Sequence, residues 1–170
     1  AYEYSGNRLK SETEEFLLAH PAVGDYAFFM ALKDRFKGKC YLDFPKCLVR
    51  REKSAMEKYR ALLSDEINYY VFEQYLFFSQ WKRMREYVNS IGIEILGDMP
   101  IYVAPDSADV WANPRSFQLD RDRRPSFVAG VPPDYFSEDG QKWGNPLYDW
   151  KYMKNHGYDF FVSRAKAASE

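Results

Sequence analysis

The stretch Ser90-Ile91-Gly92-Ile93-Glu94-Ile95-Leu96-Gly97-Asp98 decides how the rest of the chain is read. Gly92 is a natural helix stop, because glycine enters left-handed backbone without a Cβ penalty. The run from Ile93 to Leu96 is short, apolar and rich in β-branched residues, and it predicts a strand. Asp98 then stands at the strand's C-terminal end. Helix, tight turn, apolar strand and polar strand end form the grammar of a βα repeat protein. In barrels of that class the C-terminal strand ends carry the chemistry. Asp98 is therefore the first candidate site residue, with a turn or capping role as its plain alternative.

Working upstream, Ile67, Val71, Tyr75, Phe78, Trp81, Met84, Val88 and Ile91 recur every three or four residues. That period predicts a helical stretch from Arg50 to about Ile91, with one core-facing side about six turns long. Residues 11–36 predict two more helical pieces, one ending near His20-Pro21 and one running from about Asp25 to Phe36 with Gly38 as its stop. Lys37 to Pro45 is expected to be a short irregular link.

Downstream, Asp106 and Asp109 bracket the start of a short helix in the pattern of a capping box, and Pro114 closes it. Phe117–Leu119 and Ser126–Val128 flank the polar turn 120–125 and suggest a hairpin. Arg121, Arg123 and Arg124 sit in that turn beside two aspartates, so the simplest expectation is a solvated turn with little net field. Residues 129–149, AGVPPDYFSEDGQKWGNPLYD, carry Gly and Pro at short intervals with four aromatic residues between them. A loop of this length without regular structure is usually functional or disordered, and its aromatic content argues against disorder. Tyr135, Phe136 and Trp143 are expected to form an exposed rim for stacking, whereas Tyr148 and Phe127 are expected to pack down. Two helical pieces, Asp149 to Asn155 and Tyr158 to Ala168, follow on either side of Gly157.

Composition bounds the function classes. The 170 residues are 46% hydrophobic and 29% charged, with a net charge of −1, which fits a globular chain and supplies no field for nucleic acid or an anionic membrane. The longest wholly apolar run, Tyr26 to Leu32, is far short of the roughly 20 residues of a membrane span. The N-terminus has no basic segment leading into an apolar one, so no secretory signal is expected. Two cysteines, Cys40 and Cys47, and two histidines at scattered spacing do not make a zinc site, and a reducing, cytoplasmic setting is the expectation. Aromatic residues make up 18% of the chain, mostly as core filler. No phosphate-binding glycine loop, HExxH or nucleophile elbow occurs. Carboxylates are plentiful, but no pair stands out from the sequence alone for glycosyl chemistry.

GDMPIYVAPDSADVWANP (97–114) and VAGVPPDYFSEDGQKWGNPLYDW (128–150) together closely resemble the amylomaltases, or 4-α-glucanotransferases, of glycoside hydrolase family seventy-seven, and FEQYLFFSQW (72–81) resembles the helix that precedes them there. The clear resemblance covers about residues 66–165. It implies an α/β fold: a partial (β/α)8 TIM barrel segment at 61–170, a mostly helical insertion at 1–60, and a long aromatic substrate-side loop at 128–149. The implied activity transfers an α-1,4-glucan segment from one maltodextrin to the 4-hydroxyl of another sugar. It proceeds by retaining double displacement, with one carboxylate as nucleophile and another as acid and then base. No cofactor or metal is implied, and the partner is a maltodextrin or other α-1,4-glucan.

Residue by residue, Asp98 matches a strand-end Asp beside the cleaved sugar. Asp134 and Gln141 match loop residues that contact glucan hydroxyls, Trp143 an acceptor-side ring, and Tyr135 and Phe136 the loop's aromatic tip. Asn145, Pro146 and Tyr148 match residues that fix the loop. The resemblance places the nucleophilic Asp and the acid/base Glu beyond Glu170, so these 170 residues are expected to be inactive alone. Asp122-Arg123-Arg124 departs from the family, standing where a glycine turn is commoner. A maltodextrin-binding module without catalysis is the alternative reading.

Overall fold

The structure is a computed structural model that describes residues 6–169. In chain order its elements are α1 (Gly6–Ala19), α2 (Pro21–Arg35), a 3-10 turn at Tyr41–Asp43, α3 (Lys46–Val49), α4 (Lys53–Leu62), α5 (Ser64–Ser90), α6 (Ala108–Ala112), a 3-10 turn at Pro114–Ser116, β1 (Val128–Val131), β2 (Gln141–Pro146), α7 (Trp150–Asn155) and α8 (Asp159–Ser169). They group into two compact units. One holds the described residues up to Lys39 with Arg51–Leu96, and the other holds Cys40–Arg50 with Gly97 onward. The units interleave along the chain, and their boundaries do not fall at the expected division at residue 60. Among the described residues no helix is long and apolar enough to cross a membrane.

The first unit is helical. Pro21 opens α2 at its first turn, where its missing N–H costs nothing, so the helix begins four residues before the expected Asp25. At its other end the Gly38 N–H reaches back to the Lys33 carbonyl at 2.7 Å with φ at +73°, the left-handed closure that glycine permits. α2 packs on α5, burying Val23, Ala27 and Val71, with Phe16, Leu17, Ile67 and Tyr70 packed around them. Asp25 accepts from Arg51 at 2.9 Å and Arg60 at 3.0 Å, clamping α2 to the last turn of α4 and to the link just ahead of that helix.

The expected core face of α5 is only half realised. Val71 and Phe72 are buried, but Met84 and Ile91 are exposed. The reason lies in length: α5 has 27 residues and α2 has 15, about 40 Å against about 22 Å at helical rise. Among the described residues α2 is too short to cover the far turns.

The predicted strand at Ile93–Leu96 does not form. Residues 93–100 carry no regular structure, and Ile93 and Leu96 are exposed. A strand exists only through a hydrogen-bonded neighbour, and none lies beside this run among the described residues. Where a barrel segment is expected, the described residues form an α/β piece whose one sheet is the antiparallel pair β1–β2.

That pair corrects a second expectation. Residues 129–149 are not an irregular loop but a hairpin, with Gly130 opposite Lys142, Val131 opposite Gln141, and a bulge between Val128 and Gly130. Gly130 is required because a Cβ there would stand 2.3 Å from the Gln141 carbonyl oxygen. The hairpin expected around 120–125 is reduced to a tight turn with one bridge, Leu119 to Pro125. Asp106 does not cap α6 either. Ser107 does, accepting from the Val110 N–H at 3.3 Å, while Asp106 accepts from the Tyr41 N–H at 3.0 Å.

The second unit's core is aromatic. Trp111 is buried and its indole N–H donates to the Leu48 carbonyl at 2.9 Å. Tyr148 is buried too, with the rings of Phe117, Trp150, Phe160 and Phe161 within 4.9–5.9 Å. Phe127, expected to pack with it, is exposed.

Candidate functional site

The site candidates lie in the second unit, on the hairpin and on the extended segment that begins at Gly97. That segment has no ladder, so side chains satisfy its carbonyls instead. Arg164 on α8 donates to Pro100 at 2.8 Å, the Tyr148 hydroxyl donates to Ile101, and the Asn145 amide on β2 donates to Val103 at 2.8 Å. Three anchors thus hold residues 100–103 to β2, to Tyr148 just after it and to α8. The reading of Asn145 and Tyr148 as residues that fix the loop agrees with these bonds.

Asp98 lies exposed two residues before the first anchor. Its backbone belongs to the segment that is tied to β2, but among the described residues its side chain makes no hydrogen bond to the hairpin. Gln141 and Trp143 are two apart on β2 and therefore share a face. The Trp143 indole N–H donates to Gln141 Oε1 at 3.0 Å, which fixes the ring with 48% of its surface exposed. Its edge meets Tyr102 at 5.9 Å. Tyr102 was not a sequence candidate. Its one signal is an aromatic residue four places after Asp98, and only the fold puts it beside Trp143.

The tip is built around Asp134. Its Oδ1 accepts from the Phe136 and Ser137 N–H groups, both at 2.9 Å, the side-chain turn that Asp favours. Tyr135 and Phe136 are the result of that geometry: 98% and 89% exposed, edge to face at 5.8 Å. Large rings are seldom left this open without a partner surface. Gly140 closes the tip with φ at +72°, where a Cβ would stand 2.6 Å from the Val131 carbonyl oxygen. The structure therefore brings Tyr102, Gln141 and Trp143 together in one cluster and Tyr135 with Phe136 in a second, with Asp134 as the latter's support.

Behind this surface, burial raises the Asp109 carboxyl above its ordinary range, and the nearby Arg164 guanidinium opposes the shift. Burial likewise raises the Tyr148 phenol. Cys40 and Cys47 are not joined in a disulfide. Among the described residues no group of three or more His, Cys, Asp or Glu is placed to hold a metal ion. The chemistry on offer is stacking plus hydrogen bonding to hydroxyls, the combination by which flat-faced, hydroxyl-rich ligands are held.

The profile of the family described as 4-alpha-glucanotransferase matches residues 2–170. The 4-alpha-glucanotransferase of Thermus thermophilus is 48% identical over 146 residues, covering 86% of this chain and 29% of that protein. The chloroplastic/amyloplastic 4-alpha-glucanotransferase of Solanum tuberosum is 45% identical, covering 98% and 29%. Among solved structures, the amylomaltase from Streptococcus agalactiae in complex with acarbose superposes with a TM-score of 0.90 at 44% identity, covering 95% of this chain and 33% of that one. The chain thus spans about a third or less of the relatives it matches.

Proposed function

Because the chain belongs to the 4-alpha-glucanotransferase family, we propose that it is a segment of an enzyme that moves an α-1,4-glucan from one maltodextrin to the 4-hydroxyl of another sugar. The observation that carries this reading is the hairpin's set of outward rings, Tyr135, Phe136 and Trp143, held rigid by Asp134, Gln141 and Gly140. Sugar rings present apolar C–H faces between their hydroxyls, so an exposed ring with a polar partner at its edge suits them. The acarbose bound to the Streptococcus agalactiae relative supports a glucan-like ligand for this chain.

In the complete enzyme, residues 61–170 form part of a (β/α)8 barrel, and residues 1–60 a mostly helical insertion. Ile93–Leu96 is then a barrel strand, paired there by neighbours outside these 170 residues. Asp98 at its end hydrogen-bonds and orients the sugar beside the scissile bond. Asp134 and Gln141 contact glucan hydroxyls, and Trp143 stacks on the acceptor.

The reaction retains configuration through a covalent glycosyl-enzyme. Water competes with the acceptor for that intermediate, so the hairpin's role is to hold an acceptor sugar where water would otherwise sit. The nucleophile and the acid/base lie outside these 170 residues.

The test uses the full-length protein that contains this segment, incubated with maltotriose and followed by chromatography. Glucose and longer maltodextrins are expected. Asp98→Asn should lower the rate while the protein stays folded, and an unchanged rate rejects the role given to Asp98. Maltodextrin binding without any transfer would instead identify a binding module.

A further inference from the structure

We propose that a basic cavity in the second unit, lined by none of the sugar-facing residues, binds a phosphate group. The cavity measures about 180 Å³ and lies between α3 with the residue after it and the turn 120–124. Lys46, Arg50, Arg121, Arg123 and Arg124 line it, and Asp122 is the one carboxylate among its lining residues.

The five cations come from two stretches more than 70 residues apart, so the fold assembles what the sequence shows only as a short basic turn. Among the described residues none of the five is within ion-pair distance of a carboxylate. The Asp120 carboxylate is committed elsewhere: its Oδ1 accepts from the Asp122 and Arg124 N–H groups at 2.8 and 2.9 Å, which shapes the turn. In a chain of net charge −1, so many unneutralised cations around one cavity is a local excess, and like charges repel until an anion joins them.

Backbone strain points the same way. Arg123 has φ at +66°, a region that costs an L side chain about 1 kcal/mol or more and that glycine enters freely. The turn is held there by the buried Tyr41, whose hydroxyl donates to the Arg123 carbonyl at 3.2 Å. An arginine where glycine would fold more easily is explained if its guanidinium is used.

The ligand class follows from the lining. Guanidinium and ammonium groups recognise phosphate oxygens through charge-assisted hydrogen bonds. Leu42 and Val49 add an apolar wall, so the group can arrive free or carried on a small body such as a hexose.

The experiment titrates the full chain with inorganic phosphate, with a hexose phosphate and with glucose by calorimetry, at low and high salt. Millimolar or tighter binding of the phosphates, weakened by salt, is expected, with no response to glucose. Tighter binding of the hexose phosphate than of phosphate assigns a sugar-borne group, and equal binding assigns the free anion. Arg123→Gly relieves the strained backbone and so keeps the turn, yet should weaken binding about tenfold, the worth of one charged hydrogen-bonding partner. Absence of phosphate binding at millimolar concentration, equal binding of glucose, or an unchanged affinity in Arg123→Gly overturns the proposal.

Discussion

At Tyr41 the hydroxyl donates to Arg123 while the ring is buried, and burial pushes its pKa up to about 12. The unfolded chain releases this proton near pH 10, so the folded state binds it more tightly above that. The stabilisation is complete below pH 10 and is lost as pH rises to about 12, by about 2 kcal/mol. Thermal unfolding from pH 9 to 12 should therefore show a shallower alkaline decline in Tyr41→Phe than in the parent.

Gly140 makes a different demand. Its positive φ and the 2.6 Å approach of the Val131 carbonyl leave no room for a methyl group, so Gly140→Ala should destabilise the chain by about 2 kcal/mol or more in urea unfolding. Arg123→Gly should move stability the other way, by about 1 kcal/mol, because the residue already holds the conformation that glycine prefers.

At the scale of elements, what the sequence could show depended on where the deciding contacts lay. α5 is readable because a three-to-four spacing is a local property of one helix, and the N-cap of α7 is readable because Asp149 accepts from the Tyr152 N–H three residues away at 2.9 Å. The hairpin was not, since Gly130, Gly144 and Pro146 break the usual strand pattern and their fitness appears only when β1 and β2 lie side by side. The exposed Ile93–Leu96 run is the converse: its strand signal is strong locally, but its realisation needs neighbours. Asp134 shows how a site candidate and a structural residue coincide, since its carboxylate holds the tip that presents Tyr135 and Phe136. Asp134→Ala should expose the Phe136 amide, whose acceptor is that carboxylate, and its hydrogen exchange should speed up about tenfold or more. An unchanged rate would show that the turn holds itself.

For the whole molecule, the family was legible because the motifs around 97–114 and 128–150 are long and unusual in composition, and the match across residues 2–170 agrees. The placement of individual side chains was less so. Phe127 points outward and Tyr102 joins Trp143, outcomes set by packing and not by spacing. The proposed division of labour, a sugar-holding surface here and the reacting carboxylates elsewhere, implies that these 170 residues alone leave maltotriose unchanged on chromatography. Glucose with longer maltodextrins from this polypeptide would refute that division.

If the hairpin is a glucan-facing surface with Trp143 as its stacking ring, a tryptophan fluorescence titration of the chain with acarbose reads it out. A saturable change that is lost in Trp143→Phe is expected. A flat titration of the folded chain, or a response that Trp143→Phe retains in full, would contradict it.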